Sequence, residues 1–174
     1  MGHGRQIDGL TCAGAVVDKS MLKVVETMRE VQPLIPRPWN RERFVAAVGD
    51  YRGRTIRLTA MDSPVLRGSP CGVWLVFEEY DQIIYDANTS DYHADQTILH
   101  EVGHMVLDHH SCGGVNASLA KLFPDVDIAA AKSVMARSRF EDPQEIEAET
   151  FADMLMASAV SRFRKSGSMD DLWG

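Results

Sequence analysis

The chain has 174 residues, 45% of them hydrophobic, which is the size and composition of one ordinary domain with a proper buried core. Its formal net charge of −7 argues against direct binding to nucleic acid, whose phosphate backbone calls for a basic face. No apolar run approaches the roughly 20 residues that a bilayer span needs, and the start lacks a charged region followed by a long apolar one, so a cytoplasmic protein without membrane contact is expected.

Residues 1–17 carry four glycines and no periodicity, and read as a flexible arm. A single domain is expected over 18–164, with a frayed tail at 165–174. Asp18 is a good N-cap for a first helix that buries Met21, Val24, Val25, Met28 and Val31, and Pro33, Pro36 and Pro38 end it. A shorter helix over 40–48 buries Phe44, Val45 and Val48, with a break at 49–53. Strands follow at 55–60, 72–77 and 82–85, the last two flanking the acidic turn Glu78-Glu79-Tyr80-Asp81, and together they predict an antiparallel meander of about three strands. The run Val73-Trp74-Leu75-Val76-Phe77 is apolar on both faces, which suits a buried central strand better than an exposed edge open to a peptide. Cys12, Cys71 and Cys112 are odd in number, far apart and without a C-x-x-C pair, so reduced thiols are expected.

After the loop Ala87-Asn88-Thr89-Ser90, a helix over 92–109 carries His100-Glu101-Val102-Gly103-His104. Residues four apart on a helix share a face, so both imidazoles can reach one metal ion. Glu101 beside them can take a proton from a water that the metal acidifies. Ile98, Val102, Met105 and Val106 form an apolar stripe around the motif. Gly103 costs about 1 kcal/mol relative to Ala in a helix interior, which suggests that something packs closely there. Short helices are expected at 118–122 and 128–139, and Asp142-Pro143 with Glu145 opens a last helix running to 164, with Ile146, Met154, Leu155, Val160 and Phe163 among its apolar positions.

Two histidines and a water leave a tetrahedral site one protein ligand short. Glu145 and Glu149 share a face of the last helix with Ala148 and Ala152, whose small side chains permit close approach to the motif helix. In this reading Glu145 ligates and Glu149 holds a ligand histidine by its other nitrogen. The alternatives are that Glu145 closes a capping box with Asp142, and that Glu149 is the ligand; Glu147 points elsewhere. His110 lies where a metzincin places its third histidine, but that pattern also wants a glycine at the position Leu107 holds. His109 and His110 then read as a solvated helix C-terminus, and Tyr92 and His93 as surface residues.

Ile98-Leu99-His100-Glu101-Val102-Gly103-His104-Met105-Val106-Leu107, followed by Glu145-Ile146-Glu147-Ala148-Glu149-Thr150-Phe151-Ala152, resembles the ImmA/IrrE family of zinc metallopeptidases, whose second motif has the form E-x-E-A-x-x-F-A. The strand-turn-strand of 72–86 with Asn88-Thr89-Ser90 is similar to that family's lead-in, and the resemblance covers roughly 55–159. It implies His100, His104 and Glu145 as Zn²⁺ ligands and Glu101 as the base. It also implies that the substrate is a helix-turn-helix transcriptional repressor cleaved in a linker. Two departures stand beside it: the 108–142 segment between the motifs is long, and no helix-turn-helix module fits in the first 50 residues, so such a repressor would be a separate chain.

The expected fold is therefore α+β, a small zincin-like domain of gluzincin type in which a three-stranded antiparallel sheet packs on the motif helix and further helices. The expected function is a zinc-dependent endopeptidase of regulatory type. Two rivals are a zinc-stabilised module that sequesters a regulator without cleaving it, and a toxin or effector peptidase.

Overall fold

The computed structural model describes residues 19–64, 66, 72–109, 123, 126–136 and 142–161. The expected arm, the tail, the 118–122 helix, His110 and the three cysteines lie outside these residues. Among them the chain is α+β, with four α-helices and a four-stranded mixed sheet. None of the described helices is long and apolar enough to cross a membrane.

Helix α1 (Lys19–Val31) buries Val24, Met28 and Val31, while Met21 and Val25 are half-buried. A one-turn 3₁₀ segment, Gln32–Leu34, carries Pro33 at its start, where a missing N–H costs nothing. Helix α2 (Arg41–Arg52) is capped by the Asn40 side chain, which accepts from the Arg43 N–H. The break expected from 49 is absent. Gly49 continues the helix because α2 crosses the start of the sheet there, where a Cβ would stand 2.9 Å from the Arg54 carbonyl oxygen. The helix ends instead at Gly53, whose φ of 67° is the left-handed C-terminal conformation that glycine adopts without strain.

Strands β1 (Thr55–Met61), β2 (Val73–Val76), β3 (Tyr80–Asp86) and β4 (Ser133–Ala136) are ordered β1-β3-β2-β4. β2 and β3 form the expected antiparallel hairpin, with Trp74 opposite Ile83. The three-stranded antiparallel meander is otherwise corrected. β1 lies on the far side of β3 and parallel to it, and β4 occupies the other side of β2. β4 falls where the sequence suggested a helix over 128–139; only Ile128–Ala130 makes a 3₁₀ turn. Local propensity yields here to tertiary pairing, since the strand satisfies the open hydrogen-bonding side of β2 and buries Val134.

β2 is thus central, and its two-sided apolar run has cover on both faces. Trp74 and Ile83 face the helices with Phe44, Val48, Ile98, Leu99 and Leu155. Val73, Leu75, Phe77 and Ile84 face a second cluster with Phe123, Ile128 and Val134. At the hairpin, Tyr80 and Asp81 belong to β3 rather than to the turn, and Asp81 is fully buried between Arg52 and Arg54 at 2.7 and 2.9 Å. Arg54 also donates to the Phe77, Glu78 and Tyr80 carbonyls, pinning the turn.

Helix α3 (Asp91–Val106) starts at Ser90, whose Oγ accepts from the His93 N–H, and helix α4 spans Asp142–Ser161. The pairs Gln96–Asp153 and His104–Glu145 show that the two helices run antiparallel. Their crossing is close at Gly103, where a Cβ would lie 3.1–3.2 Å from Ala148 backbone atoms and Phe151 Cδ1. Ala148, Phe151, Ala152 and Leu155 lie on the buried face of α4, whereas Ile146, one of the apolar positions of the expected helix, is 57% exposed. Gly103→Ala should destabilise by about 1–2 kcal/mol, even though Ala gains roughly 1 kcal/mol of helix propensity, because backbone on one side of the new methyl cannot yield. Thermal melts check this, and a fall of about 3–8 °C is expected for a chain of this size.

Candidate metal centre

The spacing of four between His100 and His104 brings their rings together edge to face on one side of α3, and Nε2 of each lies 3.0 Å from the other. Antiparallel α4 then delivers Glu145 from its first turn. One carboxylate oxygen lies 3.4 Å from His100 Nε2 and the other 3.5 Å from His104 Nε2. Three ligand atoms from these residues all fall within 4.8 Å of one another. Metal bonds of about 2.0–2.2 Å in a tetrahedral site give ligand-to-ligand edges of about 3.3–3.6 Å, so the two carboxylate-to-imidazole spacings match a Zn²⁺-sized ion and the 3.0 Å edge between the imidazoles is a few tenths of an ångström shorter. The donor set, two imidazoles and a carboxylate, fits the same ion.

Electrostatics suit this arrangement. Burial, with the neighbouring His100 and His109, lowers the His104 pKa to about 2, so the ring is neutral, as a metal ligand must be. Glu101, the third member of the motif, is 2% exposed and sits on the side of α3 nearest the start of β2. Burial raises its pKa to about 7; His100 opposes this, Glu145 adds to it, and a hydrogen bond from the Gly72 backbone opposes it. Oε2 of Glu101 has no hydrogen-bond partner among the described residues. A carboxylate poised near neutrality with one free oxygen can accept a proton.

The structure corrects the surroundings that the sequence suggested. Glu149 is exposed and outside the three-residue group, so it is neither the candidate third ligand nor the group beside a candidate ligand histidine. His109 does the second task. It is not a solvated helix end but only 2% exposed, with its Nδ1 2.9 Å from His104 Nδ1. Its Nε2 lies 2.9 Å from Glu147 Oε2, and the other oxygen of Glu147 accepts from Ser20 of α1. Glu147 therefore points inward, not elsewhere. Burial raises its carboxyl pKa, but the bonds from Ser20 and His109 outweigh this and hold it below the usual value. For His109 burial lowers the pKa and outweighs the opposing pull of Glu147.

The turn after α3 makes this possible. Asp108 adopts φ 54°, and the His109 N–H donates to the His104 carbonyl at 3.0 Å, a Schellman closure that folds the chain back over the last turn. Lys23 of α1 donates to the neighbouring Leu107 carbonyl. A signal for this exists in the sequence: Asp tolerates the left-handed region better than most residues, and it stands between the helix and a histidine. Tyr92 and His93 are exposed near the start of α3, as expected of surface residues.

No family model, curated protein or solved structure matches the chain.

Proposed function

We propose that the chain is a zinc-dependent endopeptidase of regulatory type, with a zincin-like arrangement of the motif helix and sheet, related to the ImmA/IrrE metallopeptidases that its two motifs resemble. The observation that carries this reading is the convergence of His100, His104 and Glu145 from two helices, with buried Glu101 beside them. A bound Zn²⁺ would polarise a peptide carbonyl and bring the pKa of a water to about 7. Glu101 takes the proton of the water as its oxygen attacks the carbonyl carbon, and passes it to the amine nitrogen as the C–N bond breaks. His100, His104 and Glu145 fix the site, and the apolar packing behind α3 keeps them from relaxing. A module that only sequestered a regulator would have no use for a buried base, and a structural zinc site fills its fourth position with protein.

The resemblance supplies the substrate class, a separate helix-turn-helix repressor cut in a linker, and with it a cytoplasmic setting. The test is to incubate the zinc-loaded chain with such a repressor encoded beside its gene and map new termini by mass spectrometry. A single linker cut, lost with chelator, supports the reading. An intact repressor alongside repression relieved equally by a Glu101→Gln chain would favour sequestration.

Gly72 provides a sharper check on the base. A Cβ there would lie 2.9 Å from Glu101 Cγ and 3.0 Å from its Oε1 and from Thr97 Cγ2. Gly72→Ala should push the carboxylate aside and lower kcat by about 10–100-fold, with KM little changed, since misplacement of about 1 Å costs that order in rate. Steady-state kinetics on the cleaved repressor measure it.

A further inference from the structure

We propose that His109, Glu147 and Ser20 form a positioning relay that sets which nitrogen His104 offers to the metal, and that α1 is thereby a working part of the centre. The inference rests on the metal reading above.

Two imidazole Nδ1 atoms facing each other at 2.9 Å can share only one proton between them, so one donates and the other accepts. Glu147 decides which. Its carboxylate accepts from Ser20 at one oxygen, and its other oxygen, 2.9 Å from His109 Nε2, needs a proton on that nitrogen. With Nε2 protonated, neutral His109 has its lone pair on Nδ1 and must accept from His104 Nδ1–H. His104 then carries its lone pair on Nε2, the atom that faces His100 and Glu145 at 3.0 and 3.5 Å. The opposite polarity would put a proton on His104 Nε2, in the place a metal must take, and a lone pair of His109 against the Glu147 carboxylate. One carboxylate two steps away thus selects the ligating tautomer of a histidine that is fully buried.

The relay crosses three elements. His109 lies just beyond α3, Glu147 is on α4 two residues after the ligand Glu145, and Ser20 is in the first turn of α1. Lys23, one turn on from Ser20, donates to Leu107 and holds α1 to the same corner. Ser20 and Lys23 are the reason to expect metal affinity to depend on how α1 is seated.

The test compares His109→Phe, Glu147→Gln and Ser20→Ala with the wild-type chain. Zinc affinity is measured by competition with a chromophoric chelator, and the His104 tautomer in the metal-free chains by ¹⁵N-detected NMR. Expected are Nδ1-protonated His104 in the wild type, a mixture or the other tautomer in Glu147→Gln, and a loss of zinc affinity of about 10–100-fold for His109→Phe and Glu147→Gln. Ser20→Ala, the mildest change, should lose about 3-fold, and melts of the metal-free chains report folding separately. Unchanged affinity and tautomer in a folded Glu147→Gln chain would overturn the relay. Wild-type affinity in Ser20→Ala with losses in the other two would remove α1 from it. If the wild type itself takes up no zinc, the metal reading fails; if His104→Ala abolishes uptake while His109→Phe leaves it intact, only the relay fails.

Discussion

Glu101→Gln is expected to lower peptide hydrolysis by about 10²–10⁴-fold, the range that loss of a general base gives, while zinc uptake stays within a few-fold of wild type. Glutamine keeps the shape and can still accept from the Gly72 backbone, but it cannot take a proton. The same substitution has a second signature in the metal-free chain. The Glu101 carboxyl is raised from 4.5 to about 7 in the folded state. Between those pH values the folded chain holds a proton that the unfolded chain has released, so stability falls as pH rises by up to about 1.4 kcal/mol per unit. The Gln chain lacks this loss. Its advantage in stability should be absent below pH 4.5, grow up to about pH 7 and then level off, reaching about 1–3 kcal/mol after allowing for the cost of burying an amide. Denaturant titrations at several pH values in chelator read this directly. A pH-independent difference would mean that Glu101 is not the buried, proton-holding group described.

Zinc at about 100 times its dissociation constant should stabilise the folded chain by about 2.7 kcal/mol, or about 5–10 °C in Tm for a protein of this length. Chelator should reverse the shift. His104→Ala and Glu145→Ala should each abolish it, since two remaining ligands hold the ion poorly, whereas Glu149→Gln should leave it unchanged because Glu149 is exposed and outside the group. The comparison isolates the third ligand: a shift that survives Glu145→Ala and disappears with Glu149→Gln would reverse the assignment drawn from the geometry. Calorimetric or fluorescence melts with and without metal suffice.

Much of this architecture follows from local rules that a sequence states openly. A period of four put His100 and His104 on one face, and the loop ending at Ser90 preceded the helix that carries them. Gly103 and the alanines of α4 announced a close helix crossing, because a small residue in a helix interior is costly unless backbone comes near. The two-sided apolar run of β2 likewise implied cover on both faces.

What remained hidden depends on partners far along the chain. Residues 133–136 have no local preference strong enough to resist pairing with β2, and β1 takes the open side of β3 because β4 holds the other side of β2. Spacing alone left Glu145 and Glu149 as rival candidates; the antiparallel packing of α4 on α3 brings half-buried Glu145 up to the two imidazoles and leaves Glu149 exposed. His109 and Glu147 were misread for the same reason. Periodicity describes a helix only while it lasts and says nothing of which neighbour a face meets: His109 is placed by the left-handed turn at Asp108 after α3 ends, and Glu147, within α4, by the approach of α1 and His109. The sequence by itself determined the helical spacing that sets His100, Glu101 and His104 together. The tertiary structure alone decided that Glu145 joins the two imidazoles and that His109 and Glu147 stand behind His104, because a contact between distant residues exists only once the chain has folded.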